Sequence, residues 1–352
     1  MLHRIVATLL VFAALASSGR AGDAAPKRPV VAIVAYDRGT ETTDFLVPYG
    51  VLAMSDAVDL HGVSTGAGVV QLHPALRIAL DETIDAFDAA HPTGADVVIV
   101  PAVHDPSDAR LVGWLTKEAA HGATLVGICD GVWAVAATGA LEGRRATGHW
   151  YSLGRLQSAY PGTTWVRDRR YVRDGPVMTT TGVTASIPAS LALVEEIAGR
   201  ARAQDVADQL GVHGWGAEHD SNRFALSAGD VAIAARNWLG VWRWERVGIP
   251  VAPGVDEIAL ALTADAFART YRSSVVAISD TPGAVRSLHG IRVLPETAAS
   301  VAIDRLERVP DDVRPAAALD RALAEIERID GAATASFVAL QIEYPARRLR
   351  GL

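Results

Sequence analysis

The sequence predicts an α/β fold, a mostly parallel sheet covered on both faces by helices. Short β-branched runs alternate with helical patterns through residues 30–200, the spacing of successive βαβ units. The run ADVVIVPA (95–102) is apolar throughout, as expected of a strand buried on both sides. Capping residues and glycines punctuate the alternation where each helix would start and stop.

Taken in order, VVAIVAY (30–36) reads as the first strand. It ends in the polar turn DRGTETTD and leads into the helical pattern FLVPYGVLAMS. VDLHGVST is a second strand and VVQLHPALRIAL a hairpin-like extension. After ADVVIVPA, the segment DPSDARLVGWLTKEAAHG opens on Asp and Ser and closes on Gly122, so it reads as a helix. ATLVGI is the next strand and DGVWAVAATGAL the next helix. RRYVRDGPVMTTTG reads as a hairpin turning at Asp174-Gly175, and TASIPASLALVEEIAG closes the domain as a helix.

In an open sheet of this kind, ligands bind beyond the carboxyl ends of the strands. The loops carrying Asp44, Pro101 to His104 and Cys129 all reach that edge. Cys129 is the only cysteine in 352 residues, so it cannot form an intramolecular disulfide. It is a buried small residue, an intermolecular partner or a reactive thiol. Its position at a strand end, before a helix and beside Gly131, favours the reactive thiol. Helix N-termini stabilise thiolates, and a strand-to-helix elbow exposes a nucleophile.

Half the residues are hydrophobic and the net charge is −7, with no Lys/Arg block. Those values exclude a disordered chain and argue against a nucleic-acid partner. The start, MLHRIVATLLVFAALASSGRAGDAAP, has a basic residue, an apolar run at 5–16 and small residues suited to cleavage after Ala21. Residues 1–21 therefore read as a secretory signal peptide, and the protein as periplasmic or secreted. The alternative is a membrane anchor formed by residues 5–16, the one expected membrane contact.

The pieces VAIVAYDRGTETTDFLVPYGVL, ADVVIVPAVHDP, GATLVGICDGVWAVAATGALEGRRATGHW and VMTTTGVTASIPASLALVEEI occur in one order across residues 30–200. Together they resemble the ThiJ/PfpI superfamily, which includes the Parkinsonism-associated deglycase and isonitrile hydratase. The branch found as the N-terminal domain of AraC-type regulators is especially similar. The resemblance implies a flavodoxin-like three-layer sandwich of the class I glutamine amidotransferase type. It places the family's elbow cysteine on Cys129, its acid on Asp44 and its histidine on His149. The backbone donors of its Pro-Gly-Gly turn fall on Ala102, Val103 and His104. Two departures stand out. Ala102 and Val103 replace glycines, and Asp130 follows the cysteine where the superfamily's proteases carry a histidine.

The implied chemistry is attack by the Cys129 thiolate on an electrophilic carbon of a small molecule, with Asp44 handling the proton. N–H groups of the elbow, including Gly131, and of the Ala102–Val103 turn would hold the developing anion. 2-Oxoaldehydes, isonitriles and amide-like compounds suit such a site, as a hydrolase or lyase. The alternative is a ligand- or redox-sensing module without turnover; a transcription-regulator-type sensor is the remaining reading. Asp44 also reads as a helix N-cap, His149 as a hydrogen-bonded strand-end residue and Asp130 as a solvated first-turn residue whose charge opposes the thiolate. Trp133 and Trp150 read as packing residues. HGWGAEHD offers His213, His219 and Asp220 but fits no compact ligand motif, so no metal and no cofactor are expected.

The remainder carries an internal echo. VGIPVAPGVDEIALALTADAFA (247–268) parallels VAIVAYDRGTETTDFLVPYGVLA (31–53), with Glu257 opposite Asp44. ATASFVALQIEYP parallels VTASIPASLALVEEI, and the elbow segment has no counterpart. Residues 245–352 are therefore expected to be a truncated second copy, joined through a connecting segment at 201–244. It would pack on the first domain as an internal pseudo-dimer, or the chain would form a homodimer.

Overall fold

The computed structural model describes residues 27–345; the segment read as a signal peptide or anchor lies outside them. Among the described residues, no helix is long and apolar enough to cross a membrane.

The first unit runs β1 (Val30–Ala35), β2 (Thr40–Glu41), α1 (Thr42–Ser55), β3 (Asp59–Ser64), β4 (Val69–His73), β5 (Arg77–Ala79), β6 (Glu82–Thr83) and α2 (Ile84–Ala90). It continues through β7 (Val97–Val100), α3 (Ala109–Ala120), β8 (Thr124–Gly127), α4 (Val132–Ala137), β9 (Arg145–Ala146), α5 (Leu153–Ala159) and β10 (Thr164–Trp165). The hairpin β11 (Tyr171–Asp174) and β12 (Val177–Thr180) follows, then α6 (Ser186–Ala198) and α7 (Arg200–Leu210). The main sheet has the order β11-β12-β8-β7-β1-β3-β6, parallel except for edge strand β11. This is the flavodoxin-like sandwich expected from the sequence.

Central strand β1 shows why both faces must be covered. Val31, Ile33 and Ala35 enter one core, while Val30, Ala32 and Val34 enter the other. The second of these cores is closed by α2, α3 and α4 through Phe87, Trp114, Leu115 and Val135. The first is closed by α1, α6 and α7 and continues without interruption into the second unit.

That continuity moves one expected boundary. The sequence places a connector at 201–244, yet α7 belongs to the first unit. Ala203, Val206, Ala207 and Leu210 form a fully buried stripe at helical spacing. Only the stretch after Gly211 connects, and it includes α8 (Ala228–Leu239).

The second unit comprises β13 (Glu245–Pro250), α9 (Glu257–Ala268), β14 (Ser273–Ser279), β15 (Val285–Arg286), β16 (Arg292–Val293), β17 (Glu296–Thr297), β18 (Arg305–Leu306), α10 (Ala318–Asp330) and α11 (Ala332–Gln341). Its sheet order, β17-β14-β13-β18, matches β6-β3-β1-β7. β13 begins at Glu245 where β1 begins at Val30, and five residues separate each strand from its helix N-cap, Asp256 or Glu41. Counting from these caps corrects the sequence alignment. Ala259, not Glu257, stands where Asp44 stands, because no gap is needed between strand and cap. The closing helices also shift. α10 and α11 meet at Gly331 (φ 88, ψ 159) as α6 and α7 meet at Gly199 (φ 84, ψ 164). The counterpart of α6 is therefore α10, and ATASFVALQ forms the helix after it.

The units join about an approximate twofold axis. α1 crosses α9, with Thr43 Oγ1 donating to Asp265 Oδ2 at 3.0 Å. At the symmetric position, a Cβ on Gly50 would overlap the Ile258 side chain. The two hairpins also merge, since β16 pairs antiparallel with β5 to give a five-stranded sheet.

Candidate functional site

The elbow is built by β8 and a single 3₁₀ turn, Cys129–Gly131. β8 delivers Cys129 to the carboxyl edge of the sheet. There the backbone must reverse into α4 within one residue, and Cys129 takes φ 54, a left-handed conformation unusual for a residue with a side chain. Gly131 permits the reversal, because a Cβ there would overlap the Val100 carbonyl. The Cys129 N–H donates to Thr180 Oγ1 at 3.0 Å, which ties the elbow to the end of β12. Cys129 is only 6% exposed.

α1 places Asp44 in the same site. Its N-cap is Glu41, whose Oε2 accepts the Asp44 N–H at 2.6 Å, so Asp44 is not the cap the sequence also allowed. Freed from capping, the fully buried Asp44 carboxylate accepts the Ala102 N–H on Oδ2 at 3.2 Å and the Ser186 hydroxyl on Oδ1 at 3.5 Å. The Ala102 and Cys129 N–H groups are therefore both engaged, and neither points free as an anion donor. Val103 bridges β2 through Thr40, and the His104 N–H donates to the Gly39 carbonyl at 2.9 Å. The exposed His104 ring packs edge-on against His73, 4.5 Å between centroids, at the rim.

Among the described residues one cation serves this cluster, and it comes from the second unit. Arg269, at the end of α9, reaches Asp265 Oδ1 at 2.6 Å and Glu41 Oε1 at 2.7 Å. Burial disfavours its charge, but Asp265 and Glu41 hold it protonated. A single guanidinium among three buried carboxyl groups cannot neutralise them all. Burial raises the Asp44 carboxyl to about 7, against the opposing pull of the Ala102 N–H and Arg269. Glu41 rises well above its ordinary value through burial and the nearby Asp265 and Asp44. Burial, followed by Asp44, Asp130 and Glu41, pushes the Cys129 thiol far up; Arg269 pulls it down. The resting site thus holds a neutral thiol rather than the thiolate expected from its elbow position.

His149 is a hydrogen-bonded residue after a strand, one of its two readings, and Asp130 opposes the thiolate as expected but is not solvated. Asp130 is half-buried; its Oδ2 accepts the Ser152 hydroxyl at 2.9 Å while Oδ1 is buried without a hydrogen bond. His149 turns to the second unit, its Nε2 3.0 Å from the Gln341 carbonyl. Trp150 Nε1 donates to the Leu340 carbonyl at 3.0 Å, so that tryptophan also fastens the units, while Trp133 packs edge-on against Tyr160. The Thr184 N–H donates to the Ile342 carbonyl at 3.2 Å, and the Gly182 N–H donates to Glu343. The end of α11 therefore lies across the loops that follow β9 and β12.

Sequence reasoning missed Glu41, Asp265, Arg269 and Glu343. Glu41 caps α1 three residues before Asp44, a role the sequence hides because Ser, Thr, Asp and Asn are the residues preferred there. The other three lie more than 200 residues from Asp44, within or beside the segments that echo the first unit, where no local pattern links their side chains to Asp44. His219 Nε2 lies 3.2 Å from Glu343 Oε1 and its ring stacks on Phe224, Asp220 caps the turn at Ser221–Arg223, and His213 is exposed. Those three do not converge. Among the described residues, one group of imidazole and carboxylate atoms does, formed by His61, Glu82 and His91 at the opposite edge of the sheet.

The DJ-1/PfpI family profile matches residues 29–196. The HTH-type transcriptional regulator CdhR of Pseudomonas aeruginosa is 32% identical over 159 residues, 44% of this chain and 46% of its own length. The chain thus spans about half the length of that regulator. Isonitrile hydratase of Pseudomonas putida is 32% identical over 171 residues, 47% of this chain and 72% of its own length. Among solved structures, DJ-1beta of Drosophila melanogaster superposes with a TM-score of 0.48 at 21% identity, covering 53% of this chain and 99% of that one.

Proposed function

The chain belongs to the DJ-1/PfpI family, and from that membership we propose that it adds water to a small neutral electrophile through Cys129. The observation that carries this reading is the pairing of an elbow thiol at φ 54 with a buried carboxyl, Asp44, that titrates near 7. A general acid–base works best when its proton affinity lies near the working pH, and Asp44 meets that condition.

The thiol adds to the electrophilic carbon, and its proton passes to the Asp44 carboxylate. For an isonitrile, Asp44 delivers that proton to the same carbon, giving a thioimidate, N=CH–S. Water then attacks this carbon as the nitrogen takes a proton, the C–S bond breaks to release the formamide, and the proton lost by the water returns through Asp44 to the thiolate. An amide instead loses its amine, protonated by Asp44, to leave a thioester that water hydrolyses. The hemithioacetal of a 2-oxoaldehyde passes its carbon-bound proton through Asp44 to the neighbouring carbonyl carbon before the same hydrolysis. No redox partner is needed. A neutral substrate fits because Arg269 is already paired with Asp265 and Glu41 and is not free to hold an anion. Isonitriles, 2-oxoaldehydes and amides meet that condition. The isonitrile hydratase among the relatives supports addition across a carbon–nitrogen multiple bond.

The second reading is ligand sensing without turnover. The engagement of the Ala102 and Cys129 N–H groups favours it, as does the regulator among the relatives. Redox sensing is disfavoured, since a thiol held protonated by burial and carboxylates oxidises slowly.

The test is a panel of methylglyoxal, an aryl isonitrile and a simple amide, with product followed by NMR. Wild type should turn over at least one member, and Cys129→Ser and Asp44→Asn should abolish it. Calorimetric binding of a panel member with no Cys129-dependent turnover would replace catalysis with sensing. Neither binding nor turnover would overturn both readings.

A further inference from the structure

Edge strand β6 carries Glu82, which pairs with Val63 of β3. His61 lies two residues back from Val63, so His61 and Glu82 share one face of the sheet. α2 then returns along that face and ends at His91, whose N–H closes the helix on the Phe87 carbonyl at 2.7 Å. The His91 ring stacks on buried Phe87, 4.6 Å between centroids, and stands edge-on to His61 at the same separation. One ligand atom from each of His61, Glu82 and His91 lies within 4.8 Å of the other two.

His61 sits between two carboxylates. Its Nδ1 is 2.9 Å from Glu82 Oε2 and its Nε2 is 3.3 Å from Asp59 Oδ1. Nε2 is shielded from solvent and makes no hydrogen bond. A neutral imidazole carries one proton, so it can serve one carboxylate and must present a bare nitrogen to the other.

We propose that His61, Glu82 and His91 bind a divalent d-block cation of the zinc class. Two imidazoles and one carboxylate form a donor set suited to Zn²⁺ and its neighbours and poor for Mg²⁺ or Ca²⁺. The ion inserts between His61 Nδ1 and Glu82, and the imidazole proton moves to Nε2, facing Asp59. Both sides of the ring are then satisfied, with Asp59 as the outer carboxylate that orients a ligating histidine. Metal–ligand bonds of about 2.0–2.1 Å require ligand atoms roughly 3.4 Å apart. Half-buried side chains on an edge strand and a helix end close that far by torsion alone. Three protein ligands leave a fourth position to water. The ion fastens β3, β6 and the end of α2 together, remote from the Cys129 elbow.

The test uses untagged full-length protein dialysed against EDTA, then titrated with Zn²⁺ by calorimetry and with Co²⁺ by visible absorption. One equivalent should bind with micromolar affinity or better, give tetrahedral d–d bands and raise Tm. His61→Ala and His91→Gln should each weaken binding by about 100-fold and remove the Tm shift. Asp59→Asn should weaken it by about tenfold. His219→Ala should bind as wild type. If His61→Ala does not fold, His91→Gln at the half-buried helix end carries the test alone. Millimolar binding by wild type, or affinity unchanged in His91→Gln, would overturn the assignment.

Discussion

Asp44→Asn isolates the titration on which the proposed chemistry depends. In the unfolded chain this carboxyl ionises near 3.8; in the native protein it holds its proton to about 7. Below about pH 4 both states are protonated and Asp44 costs nothing. Between about pH 4 and pH 7 the unfolded chain has released the proton and the native state has not. The native state then binds more protons, and stability falls as pH rises. Above about pH 7 the full penalty applies, about 4 kcal/mol at roughly 1.4 kcal/mol per pH unit. Asparagine at this position still accepts the Ala102 N–H through its carbonyl oxygen but has nothing to ionise. Urea unfolding of both proteins from about pH 5 to about pH 8 should show the variant gaining about 3 kcal/mol on wild type across that range. Glu41 titrates in both proteins; losing the Asp44 charge eases its ionisation in the variant, which adds to the gain in the same direction. A gap that stays constant with pH, or shrinks as pH rises, would refute the buried-proton account and remove Asp44 as the acid–base group.

Arg269→Gln removes the cation shared by Glu41 and Asp265; it should cost about 3–5 kcal/mol in urea unfolding. It should also slow iodoacetamide alkylation of Cys129 at fixed pH, because a cation that lowers the thiol's proton affinity is gone. Asp130→Asn should do the opposite and speed alkylation, since it deletes a charge that opposes the thiolate. Gly131→Ala drives a Cβ into the Val100 carbonyl, so the elbow should open at a cost of about 3 kcal/mol, read as a lowered Tm with loss of any Cys129-dependent turnover. Glu343→Ala frees the Gly182 N–H beneath the end of α11. Its stability loss should be about 2 kcal/mol, with alkylation of Cys129 accelerated by a larger factor than in surface variants of equal stability.

The first unit was legible because its elements are local. A β-branched run, a polar turn and a capped amphipathic segment each announce themselves within a dozen residues, and strands such as Val97–Val100 need no partner to be recognised. α7 escaped because its buried stripe of Ala203, Val206, Ala207 and Leu210 is small and interrupted by Gln and Asp. The placement of Cys129 and Asp44 at one edge of the sheet was legible, and the electrostatics around them were not. The elbow position argues for a thiolate, whereas the fold packs Glu41, Asp44 and Asp130 near the sulfur and answers them with one arginine from another unit. No local pattern records that balance, because it arises from pairings such as Arg269 with Glu41, separated by most of the chain.

The second unit's composition follows from where it touches the first. α9 lies between its own sheet and α1, so all its residues except one at the C-terminal end are buried and both of its faces are apolar. The hairpin β15–β16 extends the sheet of β4 and β5, and the end of α11 covers the loops near Cys129. These elements make contacts across the twofold axis. The part with no counterpart, a strand followed by an elbow and helix, would extend the second sheet beyond β18, away from that axis. Losing it removes a nucleophile but no interface. Arg269 shows what is retained: its guanidinium completes the charge cluster around Asp44, and Gln341 holds both the Arg269 carbonyl, at 2.8 Å, and His149. The proton affinities of Cys129 and Asp44 are therefore properties of the joined units, and a fragment ending at Leu210 would carry the nucleophile without the cation that moderates it.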